Sequence, residues 1–303
     1  MSEVAGARRS GIRVPTPWVD AAVLGVAVVW GASYPVTKVA LAGAPVLVLI
    51  FYRFCATACI MSLLAGRELA AASRGDILRA TALGTILAAI FISEIAGLSL
   101  TSATNAALVI SLCTLFTPFL DYGLSRGLPP PVVVAGAALA CVGVGFLVGS
   151  LSAWTLGDTL ILLAAVLRAI MVVSTKRLMS GRPMSSAALT AVQSAAVTAV
   201  AFVAVASLDS VRTLAVNANT SFWASVAFLS LFCTVVAFYV QNAAVRRSGP
   251  TRVGFLMGTE PLFGFALAHL LLSEPVTASA LIGAVLIVAG TFAGLLADQR
   301  DGQ

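Results

Sequence analysis

Charged residues and histidine are scarce in this chain of 303 residues. Only 10% of its residues are charged, 60% are hydrophobic, and the mean hydropathy is +1.03. Soluble domains carry about 25% charged residues, so this composition cannot cover a surface that faces water and indicates an integral membrane protein. The single histidine, His269, is interpreted as an interfacial residue and supports no metal site. We expect neither a metal nor a cofactor.

Two further absences narrow the function. The phosphate-binding pattern GxxxxGK[ST] does not occur, so the chain itself encodes no ATP-driven pump. The five cysteines lie inside apolar stretches and no CxxC pair exists, so they are interpreted as small hydrophobic residues without a redox or metal role. The net charge of +6 does not indicate nucleic acid as a partner, because the basic residues are spread over the loops between apolar segments.

The chain contains a series of apolar segments long enough to cross a lipid bilayer. A spanning helix needs about 17–25 mostly apolar residues. Division at the loop signals predicts ten of them, in an all-α bundle without an extramembrane domain. The predicted segments are 18–40, 45–65, 77–98, 102–123, 130–150, 157–177, 184–206, 220–242, 250–272 and 277–297.

Lysine and arginine are concentrated on one side of this arrangement. With the N-terminus inside, the inside segments hold fourteen basic residues and the outside loops hold Arg212 alone, while three others fall within spans. Cytoplasmic loops of membrane proteins are enriched in Lys and Arg. The bias therefore predicts cytoplasmic termini, with residues 1–17 and 298–303 as short cytoplasmic ends.

The two halves of the chain resemble each other. With a shift of 147 residues, AGAALACVGVGFLVG (135–149) aligns with IGAVLIVAGTFAGLL (282–296), so that Gly136 matches Gly283 and Gly143 matches Gly290. The same shift matches Phe91 to Phe238.

Nearer the start of each half the shift is 138 residues. There WGASYPVTKVA faces RAIMVVSTKRL, and Lys38 matches Lys176. Five spans separate corresponding points, an odd number, so the second half must enter the membrane in the opposite direction. This predicts a 5+5 inverted-topology repeat, 18–150 and 157–297, a plan of secondary transporters whose substrate site lies between the repeats near the midplane.

Four motifs occur in order along the predicted spans. They are WGASYPVTK in the first span, Arg53–Phe54 in the second, LTSATNAALVISLCTLF (100–116), and its counterpart SGPTRVGFLMGTEPLFGFALAHLLLSEP (248–275). In this order and spacing the chain resembles the EamA-type branch of the drug/metabolite transporter superfamily. The resemblance implies a multi-pass carrier of the bacterial inner membrane, often an exporter of amino acids or related metabolites, that alternates between inward-open and outward-open states.

Two positions depart from the pattern of that family. Members often have a proline where Thr114 stands and a tryptophan where Arg168 stands. At the second position a guanidinium group replaces an aromatic wall.

The stretch WGASYPVTK interrupts an apolar run with a proline and a lysine. Pro35 frees a backbone carbonyl and can break the helix. Trp30, Tyr34 and Lys38 lie about one turn apart on the same face, and we predict that they line the substrate cavity. The alternative for Lys38 is that its ammonium group snorkels to the outer interface.

Glu94, Arg168 and Glu260 are charged residues predicted to lie inside the bilayer. Glu94, whose counterpart in the second half is Gln241, is the preferred proton-coupling residue, since a buried carboxyl group can exchange a proton near neutral pH; a helix–helix hydrogen bond is the alternative. Arg168 needs a carboxylate or an anionic substrate group as partner, and Glu94 is the first to test. Glu260, in GTEPLFG, is either a second proton-coupling residue lining the cavity or a structural element at a bend.

The remaining polar residues of the spans have simpler interpretations. Arg53 is expected to bond backbone carbonyls or a carboxylate, and Asp121 to pair with Arg126 at the interface. Asn105 and Asn242 flank positions related by the repeat and are predicted, with the neighbouring polar Gln241, to bind substrate. The GxxxG arrays Gly145–Gly149, Gly254–Gly258 and Gly290–Gly294 fit either dimerisation or packing within one bundle, so the chain is a monomer or a homodimer.

These residues favour a secondary carrier over two other classes of membrane protein. A zwitterionic amino acid suits the mixture of Lys38, Glu94 and Arg168, and export driven by protons or exchange is the leading hypothesis, with uptake as the alternative. A membrane-embedded lipid- or acyl-modifying enzyme needs a general base, but the nearest acid to the only histidine is Glu274, in a loop. A channel or packing subunit does not require an inverted repeat.

Overall fold

The computed structural model describes residues 17–101, 103–124, 127–148, 154–208, 211–216, 219–272 and 277–301, and within these ranges the chain has helices and no β-strand. Of the predicted cytoplasmic ends, residues 1–16 and 302–303 lie outside them. The helices are α1 (Pro17–Gly31), α2 (Ser33–Leu41), α3 (Val46–Leu64), α4 (Gly66–Ala71), α5 (Arg74–Leu100), α6 (Ala103–Ser111), α7 (Cys113–Gly123), α8 (Pro131–Val148), α9 (Leu156–Met179), α10 (Ser186–Leu208), α11 (Thr220–Ser230), α12 (Ala237–Ser248), α13 (Pro250–Met257), α14 (Glu260–Leu272) and α15 (Ala278–Asp301).

Seven helical stretches among the described residues are long and apolar enough to cross a membrane. They are Pro17–Leu41, Val46–Leu64, Arg74–Leu100, Leu156–Met179, Ser186–Leu208, Thr220–Ser248 and Ala278–Asp298. Two shorter apolar helices, Leu108–Gly123 and Pro131–Leu147, accompany them. The fold is therefore all-α with several membrane-spanning helices, and ten crossings stay a prediction.

Three of the predicted segments are broken inside. The break expected at WGASYPVTK is confirmed: α1 ends at Gly31 and α2 begins at Ser33, which places Pro35 in the first turn of α2, where its missing N–H is tolerated. The other two breaks separate α6 from α7 at Leu112 and α13 from α14 near Thr259. Leu112 and Thr259 are 147 residues apart, so these two breaks stand at matched positions of the repeat.

Helices α8 and α15 pack backbone against backbone through four glycines. A Cβ atom on Gly290 would lie 2.5 Å from the carbonyl oxygen of Gly136, and one on Gly283 would lie 2.5 Å from that of Gly143. The earlier glycine of each helix meets the later glycine of the other, so the helices run antiparallel. Since Gly136 matches Gly283 and Gly143 matches Gly290, exchanging the two halves leaves the contact unchanged.

The matched lysines Lys38 and Lys176 make matched contacts. On α2, the Lys38 ammonium group donates to the carbonyl oxygens of Leu98 and Thr101, at 2.5 and 3.0 Å, where α5 ends. On α9, the Lys176 ammonium group donates to the carbonyl oxygen of Arg246, near the end of α12. A cation stabilises the exposed carbonyls at a helix C-terminus. Each lysine thus fastens the first segment of its half to the third.

Packing within the bundle involves two of the three GxxxG arrays. A Cβ atom on Gly258 would lie 2.6 Å from the hydroxyl oxygen of Thr114, and one on Gly294 would lie 2.1 Å from the ring of Phe255. By contrast, a Cβ atom on Gly145 would meet no atom within 4 Å, and Gly149 lies outside the described residues.

Candidate functional site

Trp30 and Arg168 stack on each other in the interior of the bundle. The Cζ atom of Arg168 lies 4.8 Å from the centroid of the Trp30 ring, a cation–π contact. The Trp30 indole N–H donates to the carbonyl oxygen of Cys233 at 2.8 Å, which fixes the orientation of the ring. Trp30 and Arg168 are 138 residues apart, so this stack joins matched residues of the two halves.

A second contact between matched residues lies beside the stack. The ring centroids of Phe91 and Phe238 are 5.9 Å apart, and that of Phe238 is 5.4 Å from that of Trp30. Phe54 extends this aromatic cluster, with its ring centroid 4.7 Å from that of Phe91. The four rings form an apolar wall at the place where the halves meet.

Arg168 forms ion pairs with two carboxylates. Its Nη2 atom lies 3.2 Å from Oε2 and 3.4 Å from Oε1 of Glu94, and its Nη1 atom lies 3.5 Å from Oε2 of Glu260. The three side chains are 13%, 10% and 6% exposed, respectively. Glu94, named from the sequence as the first partner to test, pairs with Arg168. Glu260 is a second partner that the sequence did not connect to Arg168.

Arg53 brings a second guanidinium group to the same region. Its Nε atom donates to Thr234 Oγ1 at 2.8 Å and its Nη2 atom to the carbonyl oxygen of Cys233 at 3.4 Å, which confirms the predicted backbone tie. Both acceptors belong to a π-helical turn, Leu231–Val236, between α11 and α12. Such turns recur at functional sites, because the wider backbone leaves carbonyls without their usual partners.

Two cavities flank the Trp30–Arg168 stack, and both residues line each of them. The first cavity lies along the two matched helix breaks. Its other polar lining comes from Ser111, Cys113, Thr114, Thr117, Gln241 and Glu260. The other polar lining of the second cavity comes from Ser33, Tyr34, Thr37, Arg53 and Glu94.

The hydroxyl group of Tyr34 is a buried polar group at the second cavity. The side chain is 6% exposed, and the hydroxyl lies near Glu260 without reaching standard hydrogen-bond geometry to any described residue. Buried polar groups are nearly always hydrogen-bonded in folded proteins. This hydroxyl is therefore a suitable group for binding a ligand.

Four of the seven predicted substrate ligands lie together at the cavities. They are Trp30, Tyr34, Arg168 and Gln241, joined there by both proton-coupling candidates, Glu94 and Glu260. Gln241 and its counterpart Glu94 lie one in each cavity, on either side of the stack.

The other three predicted ligands have partners elsewhere. Lys38 bonds the end of α5, as described above. Asn242 donates to Thr190 Oγ1 at 3.0 Å and to Gln193 Oε1 at 2.9 Å, which joins α12 to α10. Asn105 hydrogen-bonds Asp158 in the first turn of α9. Substrate binding by these three residues stays a prediction.

The residues that sequence reasoning missed are those at the two helix breaks. Cys113, Thr114 and Thr117 follow one break, and Gly258 stands at the other. The sequence held a signal for the second break, the glycine before Thr259, but none for Leu112, which is an ordinary helix former.

Other polar residues of the spans lie away from the cavities. Asp121 accepts a hydrogen bond from Thr251 Oγ1 at 2.9 Å, and its predicted partner Arg126 lies outside the described residues. The side chain of His269 is also outside the described part. Among the side chains that are described, no group of three or more His, Cys, Asp or Glu residues is placed to hold a metal ion.

Comparison with known proteins agrees with this architecture. The model of the EamA-like transporter family matches residues 17–149 and, a second time, 155–295. A protein of Archaeoglobus fulgidus named an uncharacterized transporter is 26% identical over 274 residues, which cover 87% of this chain and 92% of that protein. A solved crystal structure that is 18% identical superposes with a TM-score of 0.78, over 94% of this chain and 99% of its own, and shares the fold. Since the two family matches together cover nearly the whole chain, it belongs to the EamA-like transporter family.

Proposed function

We propose that this membrane transporter is a secondary carrier that exports a small zwitterionic metabolite, such as an amino acid, by alternating access. The observation that carries the proposal is the buried cluster of Glu94, Arg168 and Glu260, which lies between two cavities. Arg168 stacks there on Trp30, its matched residue in the other half. Charged groups in the membrane interior are costly, and they mark substrate or ion pathways.

The proposed architecture is a 5+5 inverted repeat of ten spans. Support comes from the antiparallel contact of α8 with α15, which is unchanged when the halves are exchanged, and from the Trp30–Arg168 and Phe91–Phe238 contacts between matched residues. In such repeats the substrate site lies at the repeat interface, where discontinuous helices meet. The matched breaks at Leu112 and Thr259 fit this rule.

The proposed orientation has both termini in the cytoplasm of a bacterial cell, with the chain in the inner membrane as a monomer or homodimer. The distribution of Lys and Arg over the loops supports the orientation. Family membership and the transporter relative indicate a transporter rather than an enzyme.

A zwitterion suits the charges of the cavities. Arg53 and Arg168 supply two positive charges, and Glu94 and Glu260 supply two negative charges. A zwitterion can exchange partners with these groups, its ammonium group replacing Arg168 at a carboxylate while its carboxylate binds the released guanidinium group. Every charge then keeps a partner throughout, which avoids the large penalty of an unpaired charge in a low-dielectric interior.

Proton coupling is assigned to the two carboxylates, with Glu94 first. A proton on Glu94 would weaken its bond to Arg168 and favour release of the guanidinium group to substrate. Movement of one proton per cycle would then couple substrate flux to the proton gradient.

The test uses purified protein in proteoliposomes, with amino acid uptake measured with and without a proton gradient. We expect the gradient to accelerate transport by the unchanged protein, and Glu94→Gln to keep substrate exchange but lose this acceleration. Glu260→Gln tests the second carboxylate in the same way. Glu68→Gln is the matched control, because Glu68 is exposed and lines neither cavity.

Two results would contradict parts of this proposal. Full gradient-driven acceleration in both Glu94→Gln and Glu260→Gln would remove both carboxylates from coupling. For direction, cells that express the protein are challenged with toxic amino acid analogues. Tolerance supports export, whereas increased sensitivity means uptake.

A further inference from the structure

Two aspartates occupy matched positions on either side of the central stack. Asp20 lies in the first turn of α1, ten residues before Trp30, and Asp158 lies in the first turn of α9, ten residues before Arg168. The two aspartates are 138 residues apart, the same shift that matches Trp30 to Arg168. At 1.5 Å per residue, each lies about 15 Å along its helix from the stack.

These aspartates lie at opposite ends of the bundle. Asp158 lies against Thr101, where α5 ends, and Lys38, near the end of α2, binds the same end of α5. Asp20 is at the beginning of the α1–α2 segment, and therefore at the far end from Lys38. The two aspartates thus lie at the two ends of the bundle, with the cavities between them.

Each aspartate binds the start of a broken segment that belongs to the other half. Arg252, in the first turn of α13, donates from Nε to Asp20 Oδ1 at 2.9 Å and from Nη2 to Oδ2. Asp158 accepts from Thr101 Oγ1 at 2.6 Å and hydrogen-bonds Asn105, in the first turn of α6. Asn105 and Arg252 are 147 residues apart, so the partners are matched as well as the aspartates.

We propose that Asp20–Arg252 and Asp158–Thr101–Asn105 are two latches that close opposite ends of the transport pathway. This inference rests on the proposed carrier function. Each latch joins the first segment of one half to a chain segment of the other half, so it must break when the halves separate at that end. Both latches are formed in the structure, as they would be in a state closed at both ends.

The two latches differ in strength because their partners differ in charge. Arg252 gives Asp20 two charge-assisted bonds from a guanidinium group, whereas Thr101 and Asn105 offer Asp158 only neutral donors. Bonds between two ionised groups in a bidentate geometry are the stronger kind. The carrier is therefore biased to stay closed at the Asp20 end and to open first at the Asp158 end.

A native cysteine serves as the reporter for the test. Cys113 lines the first cavity, and its labelling by a membrane-impermeant maleimide is followed at that peptide in membrane vesicles of each orientation. We expect Arg252→Gln to raise labelling from the Asp20 end, and Thr101→Val to raise labelling from the Asp158 end. Thr101→Val should raise labelling about tenfold, the factor given by loss of one hydrogen bond to a charged group. Arg252→Gln should raise it further, because it removes a bidentate charge-assisted pair.

These substitutions leave both aspartates in place. That matters for Asp158, which also forms the capping box of α9 with Thr155 and would be needed for folding. Arg177→Gln is the matched control, because it removes a guanidinium group from an exposed arginine near the end of α9, at the same end of the bundle as Arg252. Cys113→Ala removes the reporter thiol, so the labelling that it abolishes is the signal of Cys113.

A double exchange makes the sharpest test. Arg252→Asn combined with Asn105→Arg moves the guanidinium group to the opposite latch, so the end that favours labelling should reverse. A second variant pair, Asp20→Cys with Arg252→Cys, should lose transport when cross-linked and regain it on reduction. Unchanged labelling in the Arg252→Asn, Asn105→Arg variant, or full transport by the cross-linked variant, would refute the proposal that these contacts are latches.

The outcomes separate this inference from the proposed function. Labelling needs no transported substrate. Shifted labelling in a protein that transports none of the tested metabolites would refute the carrier proposal for those metabolites and support the latch proposal. Conversely, gradient-driven transport with unshifted labelling in all variants would support the carrier proposal and refute the latch proposal.

Discussion

Removal of the Arg168 guanidinium group is the perturbation whose cost the structure defines best. Arg168→Gln deletes three contacts of 3.2 to 3.5 Å to Glu94 and Glu260 and leaves both carboxylates almost entirely buried. Removing one partner of a buried ion pair typically costs about 3–5 kcal/mol, because the remaining charge stays buried without compensation.

Part of that cost is offset inside the cluster. Arg53, which lines the second cavity with Glu94, compensates part of the remaining charge. We therefore expect Arg168→Gln to lose about 3–5 kcal/mol of stability at pH 7.

The assay is thermal or denaturant unfolding of the purified protein in detergent. A loss of this size should lower the Tm by about 5–10 °C. Adding Glu94→Gln to Arg168→Gln should restore part of the stability, since it removes one of the stranded charges. The control is Arg177→Gln, which removes an exposed arginine and should change the stability by no more than about 0.5 kcal/mol. If Arg168→Gln is as stable as Arg177→Gln, Arg168 does not compensate the buried carboxylates and the charge argument fails.

Two further predictions concern packing. Gly290→Ala places a methyl group 2.5 Å from the carbonyl oxygen of Gly136, so it should force α8 and α15 apart and cost about 1–3 kcal/mol of stability in the unfolding assay. The control, Gly145→Ala, meets no atom within 4 Å and should be near neutral. Equal effects of the two substitutions would refute the close contact. Trp30→Phe removes the 2.8 Å hydrogen bond to the Cys233 carbonyl and weakens the cation–π contact with Arg168. It should therefore cost about 1–2 kcal/mol of stability and slow transport. Unchanged stability and an unchanged transport rate would show that the indole does not position Arg168.

Several features of the site were predictable because lipid imposes strict rules on charge. Arg168 in a long apolar run had to find an anionic partner, and Glu94 was the deepest acid of the first half. The break before Pro35 was also predictable, because a proline inside a continuous helix loses a hydrogen bond and clashes with the preceding turn, whereas the first turn of a new helix tolerates it.

Other features depend on contacts between distant segments. Lys38 shares a helix face with Trp30 and Tyr34, yet its long side chain reaches the carbonyls of Leu98 and Thr101 instead of the cavity. Asn242 follows Gln241 directly but points to α10, since consecutive helical residues face about 100° apart. Spacing along the sequence does not determine which neighbour such a side chain meets.

The amino-acid sequence by itself determined that this protein lies in a lipid bilayer, and it determined the apolar segments, the two matching halves and the family, because composition and periodicity are properties of the chain alone. Only the tertiary structure decided that Glu260 joins Glu94 at Arg168, that Leu112 ends a helix, and that matched residues such as Trp30 and Arg168 touch. The physical reason is that these features arise where helices distant in the sequence pack together. Arg168 is 74 positions from Glu94, 92 from Glu260 and 138 from Trp30, so these contacts follow from how the helices cross.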